Sequence, residues 1–241
     1  MFDSGLGIFS GTLSVEEFQE GMQETSEVTE TREINNSEGV EYSEEDLERV
    51  EVASDIMENI FTDEVISNWE NLSIEERAQY LNEYYTSLGE ALGVNTQEIY
   101  VADLYEQCGP GVLGVSHGNG VIGVDVRMIA DPSQLGELLN TVVHETRHQL
   151  QQDAIENPDA FPGISAETLE EWAYESTHYI DPTYDPEGYS DQAIETDARA
   201  FAEEVINDYL SDARMMPLPW RRMQRKFRHI LYLTANKLPI L

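Results

Sequence analysis

The stretch that decides the fold is 131–150, DPSQLGELLNTVVHETRHQL. Asp131 followed by Pro132 opens a helix, because Asp accepts a first-turn N–H and the fixed φ of proline suits the first helical position. From there apolar residues fall at Leu135, Leu138, Leu139, Val142, Val143 and Leu150, the spacing of a helix with one buried face. The same helix carries His144-Glu145-Thr146-Arg147-His148. Residues four apart lie about one turn apart on one side. Both imidazoles can therefore reach a single cation, while Glu145 between them can act on water as a general base.

Such a helix has to lie against other elements, and its flanks supply them. Between Gly109 and Ile129 the texture is Gly and Val, with β-rich runs at 111–115 and 121–126 joined by His117-Gly118-Asn119-Gly120. That pattern predicts a β-hairpin. Residues Ser43 to Leu92 show helical spacing through Leu47, Val50, Ile56, Ile60, Phe61, Val65, Ile66, Trp69 and Leu72, and Ser73 with Glu76 forms the signature of a capping box ahead of Tyr80, Leu81, Tyr84 and Leu88. Beyond Asn157-Pro158, the run with Trp172, Tyr174, Tyr179, Tyr184 and Tyr189, broken by Pro182 and Pro186, predicts an aromatic-rich helix and then an irregular loop. A strong helix follows from about Asp191 to Leu210, its stripe running through Ile194, Ala198, Phe201, Val205 and Tyr209. Glu195 and Asp197 flank that stripe on opposite sides. A catalytic site built on the two His needs a third protein ligand from another element, and helical geometry admits either carboxylate.

The expected organisation is an acidic, flexible leader at 1–45, a domain at 46–212 and a basic tail at 213–241. The leader is rich in Ser, Thr and Asn and thin in large apolar residues, so it buries little surface against its ordering entropy. Past Asp212 there is no further acid, whereas Arg214, Arg221, Arg222, Arg225, Lys226, Arg228 and Lys237 hold seven of the 13 cations. The bland reading of the tail is that it neutralises the protein's own acidic surface. No internal repeat of solenoid period occurs in the sequence.

Composition narrows the function. Across 241 residues, 48 Asp+Glu against 13 Lys+Arg leave a formal net charge of -35. That field repels phosphate backbones and anionic membranes, so no nucleic-acid partner is expected for the main body. No apolar run approaches the roughly 20 residues of a spanning helix, so no transmembrane segment is expected. The single cysteine, Cys108, excludes an intramolecular disulfide and a multi-thiolate zinc site, leaving His and carboxylates as ligands. The N-terminus lacks the features of a Sec signal peptide. The expected localisation is cytoplasmic, or outside the cell by way of a non-Sec secretion system.

With these residues in place, the sequence resembles the zincin metallopeptidases of the gluzincin group. The carrying features are a strand-like run, the HExxH helix at 144–148, and a later helix with Glu195-Thr196-Asp197-Ala198-Arg199-Ala200-Phe201-Ala202. The resemblance covers about Val112 to Leu210, and it is nearest to metallopeptidase domains of bacterial polymorphic toxins and effectors. It implies an α+β zincin-like domain with a small antiparallel β element and helical N-terminal additions. It implies Zn²⁺ held by His144, His148 and Glu195, Glu145 as the catalytic base, and hydrolysis of a protein or peptide substrate. Arg199 stands where the family has an orienting Asp, so Asp197 either takes that role or is itself the ligand. The family's strand along the cleft, which pairs with extended substrate, falls here on Val121 to Val126. Two roles fit: a secreted effector or toxin protease with an immunity or inhibitor protein as partner, or a regulatory protease. The rival from another class is a non-catalytic acidic binding protein, a nucleic-acid mimic or inhibitor whose HExxH site is degenerate.

Several other residues are weighed against plainer roles. His117 reads as an exposed turn residue. His178, Tyr174, Tyr184 and Tyr189 are placed where a neutral donor beside the metal is useful, but aromatics at this density more often pack. Cys108 reads as an inert thiol. Arg147 reads as an ion-pair partner for one of the many acids.

Overall fold

A computed structural model describes residues 42–109, 111–182 and 184–210 of the chain. The architecture is α+β, with helices around a small sheet. Helix α1 (Glu44–Ile60) opens on Ser43, whose side chain accepts the Asp46 N–H. Residues 44–45 therefore belong to this helix and not to the leader assigned to 1–45. The expected leader up to residue 41 and the basic tail lie outside the described residues. Helix α2 (Asp63–Asn68) and a 3-10 turn (Trp69–Asn71) lead into α3 (Ile74–Leu92). The box at its start is complete: Ser73 accepts from the Glu76 N–H at 3.2 Å and Glu76 accepts from the Ser73 N–H at 2.8 Å.

Strand β1 (Glu98–Ala102) and the short helix α4 (Leu104–Cys108) precede β2 (Gly114–Ser116), β3 (Val121–Asp125) and α5 (Val126–Ala130). The hairpin expected between 111 and 126 is present as β2 and β3, paired antiparallel, with Val126 in the helix that follows. Gly118 and Gly120 turn the chain at φ 68° and 84°, where a side chain is disfavoured. The sheet is nevertheless mixed. Its order is β1-β3-β2, and β1 pairs parallel with β3. The expectation that Val121 to Val126 lines the cleft is thereby overturned. Strand β3 has a neighbour on both sides and no free edge, while β2 is an edge strand.

Helix α6 (Leu135–Glu156) is the axis of the domain. Its six predicted apolar residues are all fully buried, each stabilising by about 1.5–3 kcal/mol. One side packs under β2 and β3, and the other meets α7 (Ala166–Thr177) and α9 (Ala193–Leu210), with the short α8 (Pro186–Ser190) between these two in sequence. Helix α3 packs on both β1 and α6, and α1 closes the layer by lying on α3 and α9. Phe61, Trp69, Tyr80 and Tyr84 form an aromatic cluster between the first three helices. Arg77, buried beside it, donates to the carbonyls of Trp69, Glu70, Ile129 and Ala130. It satisfies chain ends that would otherwise be buried without donors.

Candidate metal centre

Helix α6 presents His144 and His148 on one side, as their spacing requires, with ring centroids 4.6 Å apart. Helix α9 crosses it so that Glu195, in its first turn, faces both imidazoles. His144 Nε2 lies 3.0 Å from His148 Nε2 and 3.5 Å from Glu195 Oε2, and His148 Nε2 lies 3.4 Å from Glu195 Oε1. Ligands about 2.0–2.1 Å from a tetrahedral ion are separated by about 3.3 Å. The two imidazoles, each with one oxygen of the Glu195 carboxylate beside it, have separations of the size that a zinc-sized cation requires. The Glu195 side chain is 1% exposed and each imidazole 16%. The cluster thus reaches solvent from the histidine side.

The electrostatics match a site that exchanges a proton for a cation. Burial disfavours charge on His148, but the bonded Glu195 carboxylate prevails and pushes it up to about 9. Burial also works against ionised Glu195, yet the two imidazoles hold it well below the usual carboxylate range. The cluster without a cation accordingly carries a proton. Tyr179 and Tyr189 donate their hydroxyls to Glu195 Oε1 and Oε2, each at 2.8 Å. Burial and the same carboxylate raise both phenols, so they remain donors.

Glu145 is buried on the opposite side of the pair, against β2. Burial raises its pKa, and its carboxylate accepts the Ser116 backbone N–H. Gly114 makes this approach feasible. A Cβ there would stand 2.6 Å from Glu145 Oε1 and 2.5 Å from Thr141 Cγ2. Asp125 N–H donates to Leu113 O and His117 N–H to Val121 O. Bonded and non-bonded pairs alternate along an antiparallel ladder, so Gly114 and Ser116 turn their peptide groups to the outer edge of β2. Among the described residues no strand pairs with that edge.

The remaining candidates are placed as follows. Asp197, the alternative third ligand, faces away from the cluster, receiving Arg147 at 2.7 and 2.9 Å and Gln151 Nε2 at 2.7 Å. Arg147 is the ion-pair partner expected, and it also reaches Asp46 of α1 at 2.8 Å. Arg199 donates to the Ser190 carbonyl and lies 3.4 Å from Thr196 Oγ1. His117 is stacked on Tyr100, with its Nε2 2.8 Å from the phenol. His178 stacks on Tyr174 and binds that residue's own carbonyl, and Tyr174 and Tyr184 are exposed. Cys108 is exposed at the end of α4. Of the donors weighed from sequence only Tyr189 meets the cluster. Tyr179 stands in the same aromatic-rich run, and nothing in its spacing sets it apart. Gln151 and Gly114 were also missed, although Gln151 stands three residues after His148 on the same helical face. Compared with protein-family models, curated proteins and solved structures, the chain matches none.

Proposed function

We propose that the chain is a zinc-dependent peptidase of gluzincin type, with His144, His148 and Glu195 holding the metal and Glu145 as the catalytic base. The observation that carries this is the meeting of the three ligand atoms from two helices, all within 4.8 Å of one another. Bound zinc supplies Lewis acidity, polarising a scissile carbonyl and acidifying water. The buried, upward-shifted Glu145 carboxylate takes a proton from the attacking water and delivers it to the leaving amine. The Tyr179 and Tyr189 hydroxyls, each donated to an oxygen of Glu195, orient that ligand.

The outer edge of β2 supports a polypeptide substrate. The Gly114 peptide groups and the Ser116 carbonyl can pair with an extended chain by β-augmentation, while the Ser116 N–H is held by Glu145. Within this reading the protein is either an effector or toxin protease opposed by an immunity or inhibitor protein, or a regulatory protease that cleaves a repressor-like protein. A neighbouring immunity gene distinguishes the two.

The test is Glu145→Gln. This variant should keep its zinc and fold while losing about 10²–10⁴-fold in cleavage, the size of general acid–base catalysis. A proteome-wide comparison of new N-termini made by parent and variant provides the assay. Identical products from both, or none from zinc-loaded parent, would favour the acidic binding protein.

A further inference from the structure

We propose that Gln151 is a positioning residue of the metal centre, keeping the His148 proton on Nδ1 so that the Nε2 lone pair faces the cation; this rests on the metal-centre reading above. Gln151 is fully buried. Its Nε2 lies 2.9 Å from the Ile194 carbonyl and 2.7 Å from Asp197 Oδ2, and its Oε1 lies 2.8 Å from His148 Nδ1.

The two ends of a carboxamide are told apart by what they face. The Ile194 carbonyl has no proton to give. Asp197 is gripped as a carboxylate by the Arg147 fork, Nε to Oδ2 and Nη2 to Oδ1, so it too only accepts. The amide NH₂ must therefore point at these two groups, and the oxygen must point at His148. An oxygen accepts, so Nδ1 carries the proton. In the neutral form that a bound cation requires, the single N–H of His148 is then on Nδ1, and Nε2, which faces His144 Nε2 and Glu195 Oε1, is the ligand atom.

Arg147 is itself fixed from three sides. Asp46 of α1 takes its Nη1, and the rings of Phe201 and Trp172 lie 4.7 and 5.6 Å from its guanidinium carbon. The arginine inside the motif thus orients the second histidine of the same motif through Asp197 and Gln151. This also accounts for Arg199 in place of an orienting acid. The orienting carboxylate is Asp197, acting through an inserted carboxamide.

The experiment compares zinc affinity, by competition with a chromogenic chelator, in the parent, Gln151→Met and His148→Ala. Gln151→Met keeps the volume but removes the acceptor, and it should bind zinc about 10–100-fold more weakly, the usual effect of losing such a partner. In ¹⁵N-labelled, zinc-loaded parent, an exchange-protected imidazole proton should be found on His148 Nδ1. Parent-like affinity in Gln151→Met overturns the proposal. So does a proton found on Nε2 of the parent, a result that needs no variant to fold. If the parent binds zinc no better than His148→Ala, the metal centre fails and this inference with it; if it binds well and only the Gln151 results disagree, the inference alone fails.

Discussion

Two residues apart on one helix, Glu195 and Asp197 are turned by roughly 200° from each other, and that rotation sorts their roles. Glu195 meets the imidazoles and Asp197 meets Arg147. Sequence admitted both as ligands because each is acidic and each borders the apolar stripe; the crossing of α9 over α6, which decides between them, is a tertiary fact. Gly114 is a second such residue. Its backbone lies against Glu145 with no side chain between. Gly114→Ala should force the Glu145 carboxylate aside, lowering cleavage by about 10²-fold, as an ångström-scale misplacement does, and costing about 1–3 kcal/mol through overpacking. Zinc content should be unchanged, since the atoms nearest a Cβ at Gly114 belong to Thr141 and Glu145 and to none of the three ligands. Chemical denaturation, metal analysis and a cleavage assay on one preparation check this, and parent-like cleavage would show that Glu145 has room.

At the scale of elements, the helices were largely legible. The hydrophobic period of α6 and the capping box of α3 are local signals, and both survive folding. The hairpin was legible from its Gly-rich turn. Strand β1 was not, because five residues without a turn signal are read as strand only when a partner supplies the ladder. Its pairing with β3 is also what covers the second edge of that strand. Asp125 fastens this region, accepting from the N–H groups of Leu104, Tyr105 and Arg127 and pairing with the Arg127 guanidinium. Hydrogen bonding from Arg127 lowers its carboxyl to about 2. A folded-state value below the unfolded one contributes stability above about pH 4, and that contribution is lost as pH falls toward 2. Asp125→Asn should therefore cost about 1–3 kcal/mol at pH 7, and in urea unfolding the gap from parent should shrink to well under half near pH 2.5. A gap that persists in acid would assign the loss to packing.

Over the whole molecule, charge is the dominant variable. Arg49, Arg77, Arg127, Arg147 and Arg199 are the cations among the described residues. Each is engaged by carboxylates or carbonyls of the protein itself. With a net charge of -35, self-repulsion is the larger long-range effect. Raising salt from about 20 mM to about 0.5 M shortens the screening length several-fold and should raise the melting temperature. A fall would mean that the internal ion pairs outweigh the repulsion. Against so acidic a surface, what separates a metalloenzyme from an acidic binding protein is whether one site takes zinc selectively. Elemental analysis of the purified parent beside His144→Ala, His148→Ala and Glu195→Ala measures this most directly. The account predicts about one zinc per chain in the parent and little in any of the three variants. Zinc retained undiminished in both histidine variants, or none taken up by the folded parent, would contradict it.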